Sequence, residues 1–190
     1  MRVMRSLSAT LALAATVAGP VWAQGAWAQG FTLTSPDVAP GGTIKAEQVY
    51  NQEGCRGGNI SPALSWSGAP AGTKSFVLTL FDPDAPTGSG FWHWVIFNIP
   101  PGTTSLPKNA GNVQANLAPS GSVQIKNDYS GIGYGGPCPP HGDPPHHYIF
   151  TLSAVNEMLP LNAGASAAVV GFTLHYHTIA KTQLIGRYGD

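Results

Sequence analysis

Charge is what this chain has least of. Lys, Arg, Asp and Glu together make up 9% of its 190 residues, against roughly a quarter in an average protein, and nine basic residues balance nine acidic ones. No basic stripe is available to neutralise phosphates along a polymer, so nucleic acid is not an expected partner. Past the N-terminal region no stretch approaches the roughly 20 apolar residues that a membrane span needs. Short catalytic signatures are missing too. There is no G-x-S-x-G elbow, H-E-x-x-H, Walker loop or C-x-x-C, so the expectation is a binding protein and not an enzyme.

Glycine (24) and proline (17) are plentiful, which punctuates the chain for turns and short strands. At the N-terminus Arg2 and Arg5 precede the apolar run "LSATLALAATVAGPVWA", and small-x-small sites end at Ala23 and Ala28. This reads as a secretory signal peptide over residues 1–28, cleaved after Ala23 or Ala28, with one domain over 29–190. Removing Arg2 and Arg5 leaves seven basic against nine acidic residues. The expected location is the periplasm or outside the cell. In that oxidising compartment the two cysteines, Cys55 and Cys138, are expected to pair.

"FTLTSPDV" and "GTIKAEQVY" alternate apolar and polar residues as half-buried strands do, with "APGG" turning between them. "SFVLTLF", "HWVIFNI" and "HHYIFTLSAV" are apolar on both parities, the pattern of strands covered on both faces. A short strand is expected near "SVQIK", inside a long, weakly periodic stretch. From about Ala165, the stripe Val169, Phe172, Tyr176, Ile179, Ala180 and Leu184 predicts a helix that Gly186 terminates. The fold class is mainly β: an antiparallel, Greek-key type β-sandwich with a C-terminal helix and long irregular loops.

Asp82 ends one of these strands and His93 begins the next, so in a hairpin the two face each other at its mouth. Trp92 and Trp94 alternate away from His93 and read as packing. Asp84, before Ala85 and Pro86, reads as a turn cap acting on its own backbone. In the later strand a period of two puts His146 and Tyr148 on one face and His147 on the other. His175 and His177, two apart on the helix, point to different faces, and His177 is expected to pack on the sheet. The prolines of "GGPCPPHGDPPHH" make a stiff wall, suited to holding a site with little ordering entropy lost on binding.

"DPDAPTGSGFWHWVIFNIP", "GGPCPP" and "PHHYIF", with "GNISPALSWSGAPAGTKSF" upstream and "HTIAKTQLIGRYG" downstream, resemble the phosphatidylethanolamine-binding protein family, in its bacterial Raf-kinase-inhibitor-like branch. The resemblance runs from about Phe31 to the C-terminus. It implies a pocket for a small anion or phospholipid headgroup, such as phosphate or phosphorylethanolamine, built from Asp82, His93, Gly136, Pro137, His146 and Tyr148. It also implies, for some relatives, modulation of a protein partner, a kinase or a protease, for which the chain offers no partner-specific motif.

Departures are visible. The family usually has Arg where this chain has His147, and His141 and Asp143 are less expected. A carboxylate in an anion site repels the ligand, so Asp82 is expected to hold a histidine as a hydrogen-bonded, partly protonated donor, with phosphate binding weakening as pH rises above neutrality. The alternative is a metal-dependent hydrolase using His93, His141, Asp143, His146 and His147, residue types that suit zinc at a spacing that matches no familiar ligand pattern. No cofactor and no metal are expected on the first reading.

Overall fold

The computed structural model describes residues 30–189; the expected signal peptide lies outside them. Two antiparallel sheets face each other. The smaller has the order β1 (Thr32–Thr34), β2 (Leu64–Ser67), β5 (Ser105–Leu106). The larger has the order β6 (Val123–Gln124), β4 (Phe91–Ile99), β3 (Ser75–Asp82), β7 (His146–Val155), β8 (Thr178–Tyr188). The chain is thus mainly β, with antiparallel sheets and one C-terminal helix, α1 (Ala167–His177). Among the described residues no helix is long and apolar enough to cross a membrane.

The continuous apolar runs occupy the middle of the large sheet because both faces there are covered. One face packs on the small sheet: Leu78, Leu80, Tyr148, Phe150 and Leu152 meet Leu64, Trp66 and Leu106. The other face, with Val77, Val95 and Phe97, is covered by α1 and the segment before it through Leu159, Val170 and Leu174.

Three expectations need correction. Residues 43–50 are not a strand. They make one isolated bridge, Thr43 to Arg187, and then turn, with Gln48 N–H donating to the Lys45 carbonyl and Val49 N–H to that of Ala46. Ile44, Val49 and Tyr50 are buried in a loop, which alternation alone does not distinguish from a strand.

The helix is shorter than its stripe, for Thr178–Tyr188 is β8, paired along β7. This segment is rich in β-branched residues, and Ala180, Thr182, Leu184 and Gly186 are buried at a period of two. Gly186 is therefore a mid-strand residue and no helix cap; a Cβ there would meet the Ile44 side chain at 2.7 Å. Within α1 the buried positions are Ala167, Val170 and Leu174, whereas Val169, Phe172 and Tyr176 lie exposed.

The third correction concerns β4. Leu80 pairs with Trp94 and Phe81 with Trp92, so His93 is the extra residue of a β-bulge. A bulge breaks the alternation and re-aims side chains. Trp94 is buried in the core between the sheets, its Nε1–H donating to Gln124 Oε1 at 2.7 Å. Trp92 packs on the opposite face, against the core beneath α1. The two tryptophans do not share a face.

Candidate functional site

The β3–β4 hairpin ends at a cavity of about 220 Å³ lined by Asp82, His93 and His146 together with apolar walls. Pro86 and Phe91 come from the hairpin, Tyr129 from the long stretch before β7, and Pro139 and Pro140 from the proline loop. Asp82, His93 and His146 are all buried, at 2%, 2% and 3% exposure.

Asp82 is bonded to His146 and not to His93. His146 Nδ1–H donates to Asp82 Oδ2 at 2.7 Å, while Asp82 Oδ1 accepts the Asp84 amide at 2.9 Å. Both carboxylate oxygens thus have protein donors. The far ring nitrogen, His146 Nε2, lies 3.5 Å from Asp143 Oδ2. Asp143 enters the site from the proline loop, three residues ahead of β7.

His93 stands beside this pair with a different chemistry. Its Nδ1–H donates to the Gly135 carbonyl at 2.8 Å. A carbonyl only accepts, so in the neutral ring Nε2 is the bare nitrogen. Burial among Phe91, Tyr129 and Tyr148 pushes the His93 pKa down to about 4. At neutral pH His93 is an uncharged acceptor, and it does not supply the positive charge expected of a histidine here. Its Nε2 is buried with no partner among the described residues, as is the Tyr148 hydroxyl. Burial, with Asp82 close by, pushes the Tyr148 phenol well above its ordinary range, so it stays a donor.

Gly136 and Pro137 stand one layer behind the wall. Gly136 N–H donates to Asn59 Oδ1 at 2.8 Å, and the Pro137 carbonyl accepts from Tyr50 N–H at 2.9 Å. A Cβ on Gly136 would collide with the Gln48 carbonyl. The lining itself is Cys138, Pro139 and Pro140, and Cys138 is bonded to Cys55, which pins the wall to the loop at residues 50–58. Tyr129 completes the lining. It stacks on Tyr50 with centroids 3.9 Å apart and donates its hydroxyl to the Gly136 carbonyl at 3.2 Å, but its stretch has no periodicity to mark it.

Asp84 is more than a turn cap, because the cap is supplied by Asp82. The Asp84 carboxylate accepts from both the backbone N–H and Nδ1–H of His147, each at 2.7 Å; desolvation is the largest single effect and pushes its pKa up, but these hydrogen bonds and the nearby His147 and His146 rings together outweigh it and hold the pKa below the ordinary carboxylate value. His147 lies outside the cavity, on the other parity, and keeps a hydrogen bond to Asp84 where the resemblance has Arg. His141 is exposed in the turn before Asp143, and His177, partly exposed at the end of α1, reaches Glu157 at 3.3 Å.

The family model described as phosphatidylethanolamine-binding protein matches residues 34–189. The chain is 46% identical to YbcL of Escherichia coli (strain K12) over 164 residues, which is 86% of this chain and 90% of that protein. It is 44% identical to YbhB of the same organism, over 82% of this chain and 98% of the relative. The crystal structure of E. coli YbcL superposes with a TM-score of 0.83 over 85% of this chain and 99% of that one, at 45% identity. A protein named putative lipoprotein LppC, of Mycobacterium tuberculosis (strain H37Rv), is 33% identical over 85% of this chain and 73% of its own length.

Proposed function

The chain belongs to the phosphatidylethanolamine-binding protein family, and we propose that it is an exported binding module for a small phosphorylated group, a phosphate or a phosphorylethanolamine headgroup. The observation that carries this reading is the buried trio at the end of the hairpin: Asp82 with both oxygens bonded, His146 Nε2 turned away from it toward the partly exposed Asp143 at 3.5 Å, and His93 Nε2 left without a partner. An unpaired buried polar atom disfavours the empty site by about 1 to 3 kcal/mol, which a ligand offering the complementary group relieves.

The ligand chemistry follows from these atoms. A phosphate oxygen at His146 Nε2 takes the place of the partly exposed Asp143 carboxylate, which lies 3.5 Å from that nitrogen. The Asp82 carboxylate is already engaged by the ring's Nδ1–H and is not a free charge turned on the ligand. A protonated oxygen of the same phosphate has an acceptor in His93 Nε2. The cavity, about 220 Å³, is below the roughly 300 to 1,000 Å³ of drug-sized sites. It suits a headgroup and excludes acyl chains. The Cys55–Cys138 bridge supports an oxidising compartment, and residues 1–28 as a signal peptide would leave an exported chain beginning at Gln24 or Gln29.

Titration of the exported chain with phosphate and with phosphorylethanolamine, followed by NMR at the histidine rings, tests this. Both ligands are expected to shift His93 and His146 signals, and His146→Ala to weaken binding at least about tenfold, the loss of one charge-assisted hydrogen bond. Shifts that survive His146→Ala unchanged would remove the reading. The hydrolase alternative is weaker: among the described residues no group of three or more His, Cys, Asp or Glu is disposed to hold a metal ion, and both cysteines are in the disulfide. Release of nitrophenol from nitrophenyl phosphate, abolished by chelation, would restore it.

A further inference from the structure

We propose that a second groove, on the far side of the Tyr50–Tyr129 stack, binds a neutral oligosaccharide. Tyr50 lines this groove and Tyr129 lines the headgroup cavity, so one aromatic partition separates two sites. The groove has a volume of about 480 Å³, and seven of its fourteen lining residues are Asn or Gln, with no charged side chain among them. Two of the seven are structural. Asn59 Oδ1 accepts from Gly136 N–H, and Asn127 spans its own turn, donating to the Gly133 carbonyl and accepting from Gly131 N–H.

The other five are free to meet a ligand. Asn51, Gln52, Asn109 and Gln114 make no side-chain hydrogen bond among the described residues, and Asn112 uses only its Oδ1, as acceptor from Gln114 N–H at 3.0 Å. A carboxamide presents a donor and an acceptor side by side. That is the complement of vicinal hydroxyls, each of which also donates and accepts.

The groove continues past Asn112 and Ile132 into a depression of about 290 Å³, whose lining is again uncharged. Between the two stands an aliphatic ridge, Ile132 at 52% and Val113 at 42% exposure, which no core contact explains. Such a ridge suits the C–H face of a pyranose ring, whose apolar surface then leaves water. The lack of charge argues against an anionic polymer. A peptide ordinarily adds to a free strand edge, and the edge here, β6, is two residues long, with the Gln124 side chain engaged by Trp94 and the Ala110 carbonyl.

The proposal is independent of the headgroup reading, and the test keeps them apart. ¹⁵N-labelled protein is titrated with maltotriose, cellotriose and triacetylchitotriose to about 10 mM, tenfold above the roughly 1 mM Kd of a weak site. At least one is expected to shift the side-chain amides of Asn51, Asn109 and Gln114 and the backbone amide of Ile132, leaving His93 unmoved. Binding is expected to weaken at least about tenfold in Asn51→Ala/Gln114→Ala and in Asn109→Gly, the glycine accepting the backbone φ of 68°. No shift with any of the three, shifts unchanged in both variants, or shifts centred on His93 would overturn the proposal. The same shifts produced by N-acetyl-trialanine amide would make the groove a peptide site instead.

Discussion

His93 is held as a neutral ring inside a folded sheet, and this gives the protein an acid limit. Its pKa is about 4 when folded against an ordinary 6.5. Between these values the unfolded chain binds a proton that the folded one does not, so stability rises with pH through this window. The contribution is complete above pH 6.5 and is lost as pH falls toward 4, amounting to about 3 kcal/mol. Urea unfolding at pH 7 and pH 4 is expected to show wild type losing about 3 kcal/mol more than His93→Phe. Equal losses would place the acid sensitivity in other groups. The bulge that aims this ring, and the occupant of Asp82, could not be read from alternation, because one inserted residue inverts the parity of everything beyond it.

The helix and the strand after it show why a stripe has to be read with its neighbours. Positions spaced three and four apart define several overlapping faces, and a helix of eleven residues carries two of them here. The sheet takes Ala167, Val170 and Leu174, leaving Phe172 at 67% exposure. Leu174→Ala is therefore expected to destabilise by about 2 to 4 kcal/mol, while Phe172→Ala stays within about 0.5 kcal/mol; thermal unfolding of the two variants decides it, and the reverse order would return Phe172 to the core. From Thr178 on, pairing with β7 overrides any helical tendency, for β8 makes ten paired positions with it. No local signal in "TIAKTQLIGRY" announces that partner.

Across the whole molecule, one covalent link joins the loop at residues 50–58 to the proline wall of the cavity. Cys55 and Cys138 are 83 residues apart, and closing a loop of that size removes enough unfolded-state entropy to stabilise by about 4.5 kcal/mol on the chain-entropy model. Cys55→Ser/Cys138→Ser is expected to lose about that much in urea unfolding. It should also bind phosphate more weakly, because the wall must then be ordered on binding. Undiminished affinity in the double variant would show that the prolines alone set the wall.

The strands β3, β4 and β7, the two-sided burial of their apolar runs and the family blocks were all written locally, in stretches short enough for composition and period to carry them. His146 and Tyr148 shared a face for the same reason, since a period of two survives along an unbroken strand. The rest hangs on residues far apart in the chain: Asp82 meets a histidine 64 positions away, Asn59 meets Gly136 across 77, and Tyr129 finds Tyr50 from an aperiodic loop. Such pairings exist only once the sheets have closed, because they are set by which strands lie side by side and not by the residues next to them in sequence.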